Sequence, residues 1–313
     1  MTDILITEFM DAPAVDSLRT EFEVHYDPDL HQDAAGIAGR LGSARALIVR
    51  NRTRVDRGLL AAGPRLVAVG RLGVGLDNID LDACAERGVS VHPATGANVT
   101  AVAEYVIAAM LMMLRGAYHA TDRVLAGSWP RTELVGREAS GKTLGIVGFG
   151  AIGRAVAQRA VAFGVDVAAC DPVLAPDDPA WSTPGVRRFD ALATMLAECD
   201  VVTLHVPLTG ATRHLVGAAE IEAMKPGACI VNTARGGVLD EAALAQALMS
   251  DRLGAAALDV FEDEPLPAGS PLAGVPNLYL TPHIAGLTEE ANARTGVLVA
   301  SLVRRTLTSA SDR

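Results

Sequence analysis

The chain has 313 residues, 50% of them apolar and 20% charged, and 27 Lys and Arg against 37 Asp and Glu give a formal net charge of −10. That length fits about two domains, and the apolar share excludes a disordered chain. The acid excess excludes a general polyanion-binding surface, so no nucleic acid partner is expected.

The charge is unevenly spread. Between Arg40 and Arg71 eight arginines accompany one acid, Asp56, a local +7 that leaves −17 for the rest. Such a stretch reads either as an anion site or as solvated side chains on scattered faces. Cys84, Cys170, Cys199 and Cys229 form no CxxC pair and sit mostly in apolar runs. They read as small buried hydrophobes of a reducing compartment, with no metal site. The N-terminal residues lack a basic segment followed by a long apolar core. The run 102–114 contains Glu104 and Tyr105 and is too short to span a bilayer. A cytoplasmic protein with no membrane partner is the expectation.

Strand-like runs fall at 4–7, 46–50, 66–69 and 89–92, with helical patterns at 13–19 and 55–62. The pattern is then helical over 97–126, interrupted at Gly116 and ended by Gly127-Ser-Trp129-Pro130. A second series of strands follows at 144–147, 165–170, 201–204, 228–232, 254–258 and 278–280, with helices between. Thr288 followed by two acids caps a closing helix over 288–307. Alternation of this kind predicts an α/β protein with parallel sheets.

Gly148-Phe-Gly150-Ala-Ile-Gly153 is a GxGxxG run placed between a strand, 144–147, and a helix, 154–163. The first glycine makes the turn, the second admits a pyrophosphate and the third packs helix on strand. The helix start offers N–H groups and positive dipole to phosphates. Asp171, 18 residues after Gly153, ends the next strand and suits adenosine ribose hydroxyls. Its charge would repel a 2′-phosphate, and no arginine follows closely, so NAD is expected over NADP.

Three later strand ends carry Arg235, Glu264 and His283, 29 and 19 residues apart. Ligands of open α/β sheets bind beyond the carboxyl ends of strands, so the three should converge. Hydride transfer to a 2-keto acid needs a proton donor, a role for histidine. A carboxylate beside it steadies the imidazolium, and an arginine can grip the substrate carboxylate. His205, at another strand end, is the rival histidine and reads as structural or cofactor-lining, with Val206 and Pro207 along the cofactor.

Residues 148–153 with Asp171, 232–237, 259–265 and 282–286 resemble the four signature blocks of the D-2-hydroxyacid dehydrogenase family, over nearly the whole chain. The resemblance implies two doubly wound parallel-sheet domains. A Rossmann cofactor domain, 99–286, would be inserted into a flavodoxin-like substrate domain, 1–98 plus 287–313. It implies His283 as acid/base, Glu264 as its partner and Arg235 as carboxylate anchor. Ala151, Ile152, Asp171, Thr233, Ala234, Asp259 and Gly286 would line the cofactor, and a homodimer would form through 97–130.

Within the family, residues 71–80 resemble the loop whose N–H groups, here Val74 and Gly75, hold the substrate carboxylate. Residues 47–53 resemble the phosphoglycerate dehydrogenase branch, in which the position of Arg50 meets the substrate phosphate. Val74 departs from the threonine common there, and 313 residues leave no room for that branch's C-terminal regulatory domain. The run Ile-Thr-Glu8-Phe-Met-Asp and the pair Arg50 and Arg52 resemble (S)-sulfolactate dehydrogenases more closely. The expected substrate is a three-carbon 2-hydroxy acid with a second anion at C3. A broad glyoxylate or hydroxypyruvate reductase would share the catalytic set. A formate dehydrogenase would lack a carboxylate at Glu264. A corepressor-like, NAD(H)-sensing interaction protein would bind NADH and turn over slowly.

Overall fold

The computed structural model describes residues 2–117 and 120–311, so positions 118 and 119 of the 97–130 region lie outside the described residues. The chain divides into two compact units, one of 1–98 with 287–313 and one of 99–286.

The first unit runs β1 (Ile4–Ile6), α1 (Ala12–Arg19), β2 (Val24–Tyr26), α2 (Ala34–Leu41), β3 (Ala46–Val49), α3 (Arg57–Ala62), β4 (Ala68–Arg71), α4 (Leu81–Glu86) and β5 (Ser90–Pro93). Its sheet has the order β2-β1-β3-β4-β5, all parallel. That is the flavodoxin-like winding. Successive strand residues serve opposite faces: Ile4, Ile6 and Ile48 pack with α1, while Leu5, Leu47 and Val49 pack with α2 and α3. Burial on both faces explains why these strands read as continuous apolar runs.

The second unit contains α5 (Val99–Arg115), α6 (Thr121–Leu125), β6 (Thr143–Val147), α7 (Ala151–Ala162), β7 (Asp166–Cys170), β8 (Val186–Arg188), α8 (Leu192–Leu196), β9 (Val201–Leu204), α9 (Ala218–Ala223), β10 (Ala228–Asn232), α10 (Glu241–Met249), β11 (Leu253–Leu258) and β12 (Leu278–Leu280). Its parallel sheet has the order β12-β11-β10-β9-β6-β7-β8. The winding reverses between β6 and β9, which opens a crevice at the carboxyl ends of those strands. The closing helix, α11 (Glu289–Ser311), returns to the first unit and packs on α1 and β4. Thr288 Oγ1 accepts the Ala291 N–H at 3.1 Å, the cap expected from the sequence.

Several boundaries differ from the sequence reading. The edge strands β2 and β8 went unread, because they are three residues long and carry His25, Arg187 and Arg188. Polar and charged side chains on an edge strand erase the apolar signal, and the charges of β8 also discourage pairing with another chain. The strand expected at 66–69 begins at Ala68, since Leu66 closes a turn onto Gly63 O. The helical pattern read over 97–126 is two helices that part at Gly116, the interruption marked in the sequence, which ends the first with φ +60°. Among the described residues no helix is long and apolar enough to cross a membrane, and all four cysteines are free and buried.

Gly70 of β4 lets α11 lie against the sheet. A Cβ there would stand 2.6 Å from Val299 Cγ1 and 3.0 Å from Val303 Cγ2. Gly70→Val is expected to cost about 1–3 kcal/mol by overpacking, read from the urea midpoint.

Candidate active site

The glycine-rich turn leaves β6 and enters α7 directly at Ala151. Gly148 has φ +89°, and a Cβ on it would meet His205 O at 2.6 Å. A Cβ on Gly153 would meet Gly148 O at 2.4 Å, so helix and turn touch only because both residues are glycine. Gly150 differs: nothing lies within 4 Å of where its Cβ would be. Backbone is bare there and faces open space, at a helix start whose first N–H groups have no intrahelical acceptor. Asp171, just past β7, accepts the Phe149 N–H at 2.8 Å with one oxygen and the Val173 N–H at 2.9 Å with the other. Each oxygen keeps accepting capacity for a further donor.

Beyond β10, Asn232 brackets the next turn. Its Oδ1 accepts the Ala234 N–H and its Nδ2 donates to Arg235 O, both at 3.0 Å. Thr233 Oγ1 is buried and has no hydrogen-bond partner among the described residues. Gly236 passes under Phe261 O so closely that any Cβ would collide with it.

Beyond β11 lies Asp259, 1% exposed. It is sealed from solvent, so it shapes the site from behind. One oxygen accepts the Thr281 hydroxyl at 2.6 Å and the Ile284 N–H at 2.8 Å, and the other accepts the Ala285 N–H at 2.7 Å. Tyr105 of α5 adds a 2.6 Å hydroxyl contact to Thr281. This clamp holds His283 at φ +57°, a left-handed conformation that costs free energy unless its surroundings impose it.

His283 Nδ1 lies 2.8 Å from Glu264 Oε2, and Glu264 Oε1 accepts the Phe261 N–H at 3.1 Å. Burial by itself raises the Glu264 pKa. The His283 hydrogen bond and charge, the Phe261 N–H and the Arg235 charge outweigh it and hold the carboxyl below its ordinary 4.5. An ionised Glu264 only accepts, so the Nδ1 proton points to it and Nε2 is left for chemistry. The His283 side chain is 40% exposed. Arg235, Glu264 and His283 thus form one group on adjacent strands, as their spacing implied. His205 behaves differently: burial pushes it down to about 3 and its Nε2 pairs with Thr203 Oγ1. It stays neutral at physiological pH. Val206 packs beside Gly148, and Pro207 follows it exposed. Ile284, Ala285 and Gly286 continue the His283 loop.

In the first unit, Arg50 and Arg52 stand on the loop after β3. Arg50 Nη2 donates to Asn292 Oδ1 at 2.7 Å, and its guanidinium lies 5.9 Å from the Phe9 ring centre. Arg52 Nη1 lies 3.1 Å from His31 Nε2. His31 Nδ1 lies 3.1 Å from Pro28 O, which puts the ring proton on Nδ1. Val74 and Gly75 lie in the loop after β4, Val74 exposed. The sequence reading missed Asn292, Tyr105 and Thr281. Nothing in their spacing distinguishes them from ordinary helix and loop positions.

Residues 107–285 match the model of the D-isomer specific 2-hydroxyacid dehydrogenase NAD-binding domain. The chain is 54% identical over 307 residues to an (S)-sulfolactate dehydrogenase of Chromohalobacter salexigens, covering 98% of this chain and 99% of that one. It is 40% identical to a D-3-phosphoglycerate dehydrogenase of Methanocaldococcus jannaschii, covering 98% of this chain but 58% of that longer one. Among solved structures it resembles a D-lactate dehydrogenase of Aquifex aeolicus complexed with NAD and lactic acid, at TM-score 0.86 and 30% identity over 98% of this chain and 96% of that one. The chain belongs to the D-isomer-specific 2-hydroxyacid dehydrogenases and is an NAD-dependent oxidoreductase.

Because the folded Glu264 pKa lies below 4.5, its contribution to stability is complete above the unfolded value and is lost as pH falls through the folded value. Lowering pH from about 6 to about 3.5 should therefore lower the urea midpoint of the parent protein more than that of Glu264→Gln.

Proposed function

We propose that the chain interconverts a 2-hydroxy acid bearing a second anion at C3, (S)-3-sulfolactate first, and its 2-keto acid. The 2.8 Å pair of His283 with an ionised Glu264 carries this reading. In oxidation His283 takes the substrate hydroxyl proton at Nε2, and in reduction it returns it. Glu264 stabilises the imidazolium across Nδ1 and fixes the ring. Arg235 pairs with the C1 carboxylate. A bound NAD would supply the hydride acceptor for oxidation at C2, and NADH the hydride donor for the reverse reduction.

The residues present fit NAD. Gly148, Gly150, Ala151, Ile152 and Gly153 would cradle the pyrophosphate, with open space at Gly150. Asp171 would take the ribose hydroxyls. His205, Val206, Pro207, Thr233, Ala234 and Gly286 would flank the remainder, the unpartnered Thr233 Oγ1 offering a hydrogen bond. Asp259 would hold the His283 loop in place.

Arg50 and Arg52 would take the C3 anion, and the Val74 and Gly75 N–H groups the C1 carboxylate. Sulfonate is favoured over phosphate because the relative at 54% identity is named a sulfolactate dehydrogenase, against 40% for the phosphoglycerate dehydrogenase. A sulfonate outranks a carboxyl in naming, so (S)-3-sulfolactate has the spatial arrangement of a D-hydroxy acid. A homodimer through 97–130 is supported by Leu125 and Trp129, which are 81% and 74% exposed. The four free, buried cysteines support a cytoplasmic location.

The test is absorbance at 340 nm with sulfolactate, phosphoglycerate, glycerate and lactate, each with NAD and NADP. Turnover with NAD and a C3-anionic acid is expected; equal efficiency on lactate would overturn the substrate assignment. Arg50→Ala should raise KM for the C3-anionic acid ~10-fold, about 1.4 kcal/mol. His283→Ala should lower kcat by about 10²–10⁴. Leu125→Asp should shift the sedimentation coefficient from dimer to monomer.

A further inference from the structure

Glu8 is the least expected charge in the molecule. It follows β1 and is 3% exposed, yet no cation is paired with it at salt-bridge distance among the described residues. Its carboxylate is filled by backbone. Oε1 accepts the N–H groups of Arg50 at 2.8 Å and Thr53 at 3.0 Å. Oε2 accepts those of Asn51 at 3.2 Å and Arg52 at 3.0 Å. Four consecutive N–H groups converge on one internal anion.

The same loop is held on its acceptor side. Asn78 Nδ2 donates to Thr53 O at 2.7 Å and to Arg50 O at 3.2 Å. Thr7 and Thr53 share a buried 2.8 Å hydroxyl contact. Asn78 itself is fixed by the parallel bridge between Val55 and Ile79. Side chains from two neighbouring strand ends therefore determine the loop from both directions.

A ring of converging N–H groups is by itself an anion site. Here the protein occupies it with its own carboxylate. An external anion arriving at this loop must then be read by the side chains of Arg50 and Arg52. Those guanidiniums sit on a backbone that cannot easily shift, so little ordering remains to be done on binding.

We infer that Glu8 and Asn78 are positioning residues for C3-anion specificity, acting through the backbone of residues 50–53 to set the directions of Arg50 and Arg52. This rests on the substrate reading above. It assigns to two residues that need not touch substrate a share of the preference for an acid with a second anion.

Glu8→Gln and Asn78→Ala test it. The first substitution would turn an amide N–H₂ toward N–H donors, and the second would release two carbonyls. Each variant should raise KM for (S)-3-sulfolactate about 10-fold, as Arg50→Ala does, and change kcat and the KM for NAD less than about threefold. Amide hydrogen exchange at residues 51–53 should quicken in both, while exchange in β6 and α7 should not. General damage to the fold would instead lower kcat and disturb the NAD KM together. Unchanged KM for sulfolactate in a folded variant, with Arg50→Ala impaired, overturns the inference. If Glu8→Gln does not fold, Asn78→Ala decides the matter alone. Failure of the substrate reading is separate: the parent protein would then show no preference for a C3 anion and Arg50→Ala no effect.

Discussion

A carboxylate at the end of one parallel strand accepting backbone N–H groups from the loop of the next is the interaction on which this molecule's chemistry depends. It recurs at three strand ends. Glu8 beyond β1 holds the loop beyond β3. Asp171 beyond β7 holds the turn beyond β6. Asp259 beyond β11 holds the loop beyond β12. The cause is common to all three. Where parallel strands end, the ladder stops and loop N–H groups lose their partners. A carboxylate, with two accepting oxygens, can take several such N–H groups at once. The result is a set of loops that are irregular in path yet firmly placed.

Firm placement matters because proton transfer demands it. His283 is useful only if one ring nitrogen is committed and the other is presented. Glu264 commits Nδ1, and the Asp259 clamp presents the ring from a left-handed backbone. Tyr105, reaching from α5 to Thr281, ties that clamp to the body of the unit. His205, directly after β9, illustrates the contrary environment. Without a carboxylate to offset burial it is held neutral at about 3. Two histidines at strand ends of one sheet are thus separated in role by a single partner.

Much of this was legible in the chain. The two series of apolar runs implied two parallel sheets, because strands buried on both faces are mostly apolar. The GxGxxG turn was readable because its first and third glycines answer steric demands that no other residue meets. Arg235, Glu264 and His283 were readable because strand ends converge in any open α/β sheet. What escaped was whatever lacked an apolar or glycine signature. β2 and β8 are short edges carrying polar or charged side chains. The helical pattern over 97–126, by contrast, showed its interruption at Gly116, where a positive φ ends the first helix.

The amino-acid sequence by itself determined the class of fold, the glycine turn and the placement of Arg235, Glu264 and His283 at strand ends, because each follows from local sterics or from the alternation of strands and helices. Only the tertiary structure decided which carboxylate meets a histidine and which is filled by backbone and hydroxyl donors. Glu264 and Asp259 lie five residues apart on one loop and are chemically alike in the sequence. One faces a histidine and remains partly open; the other is sealed against three donors. Glu8 carries no mark in the sequence of being internal, and became a buried acceptor only when β3 was laid beside β1. Hydrogen-bond partners from distant segments set the role of an ionisable group, and those partners exist only once the sheets have formed.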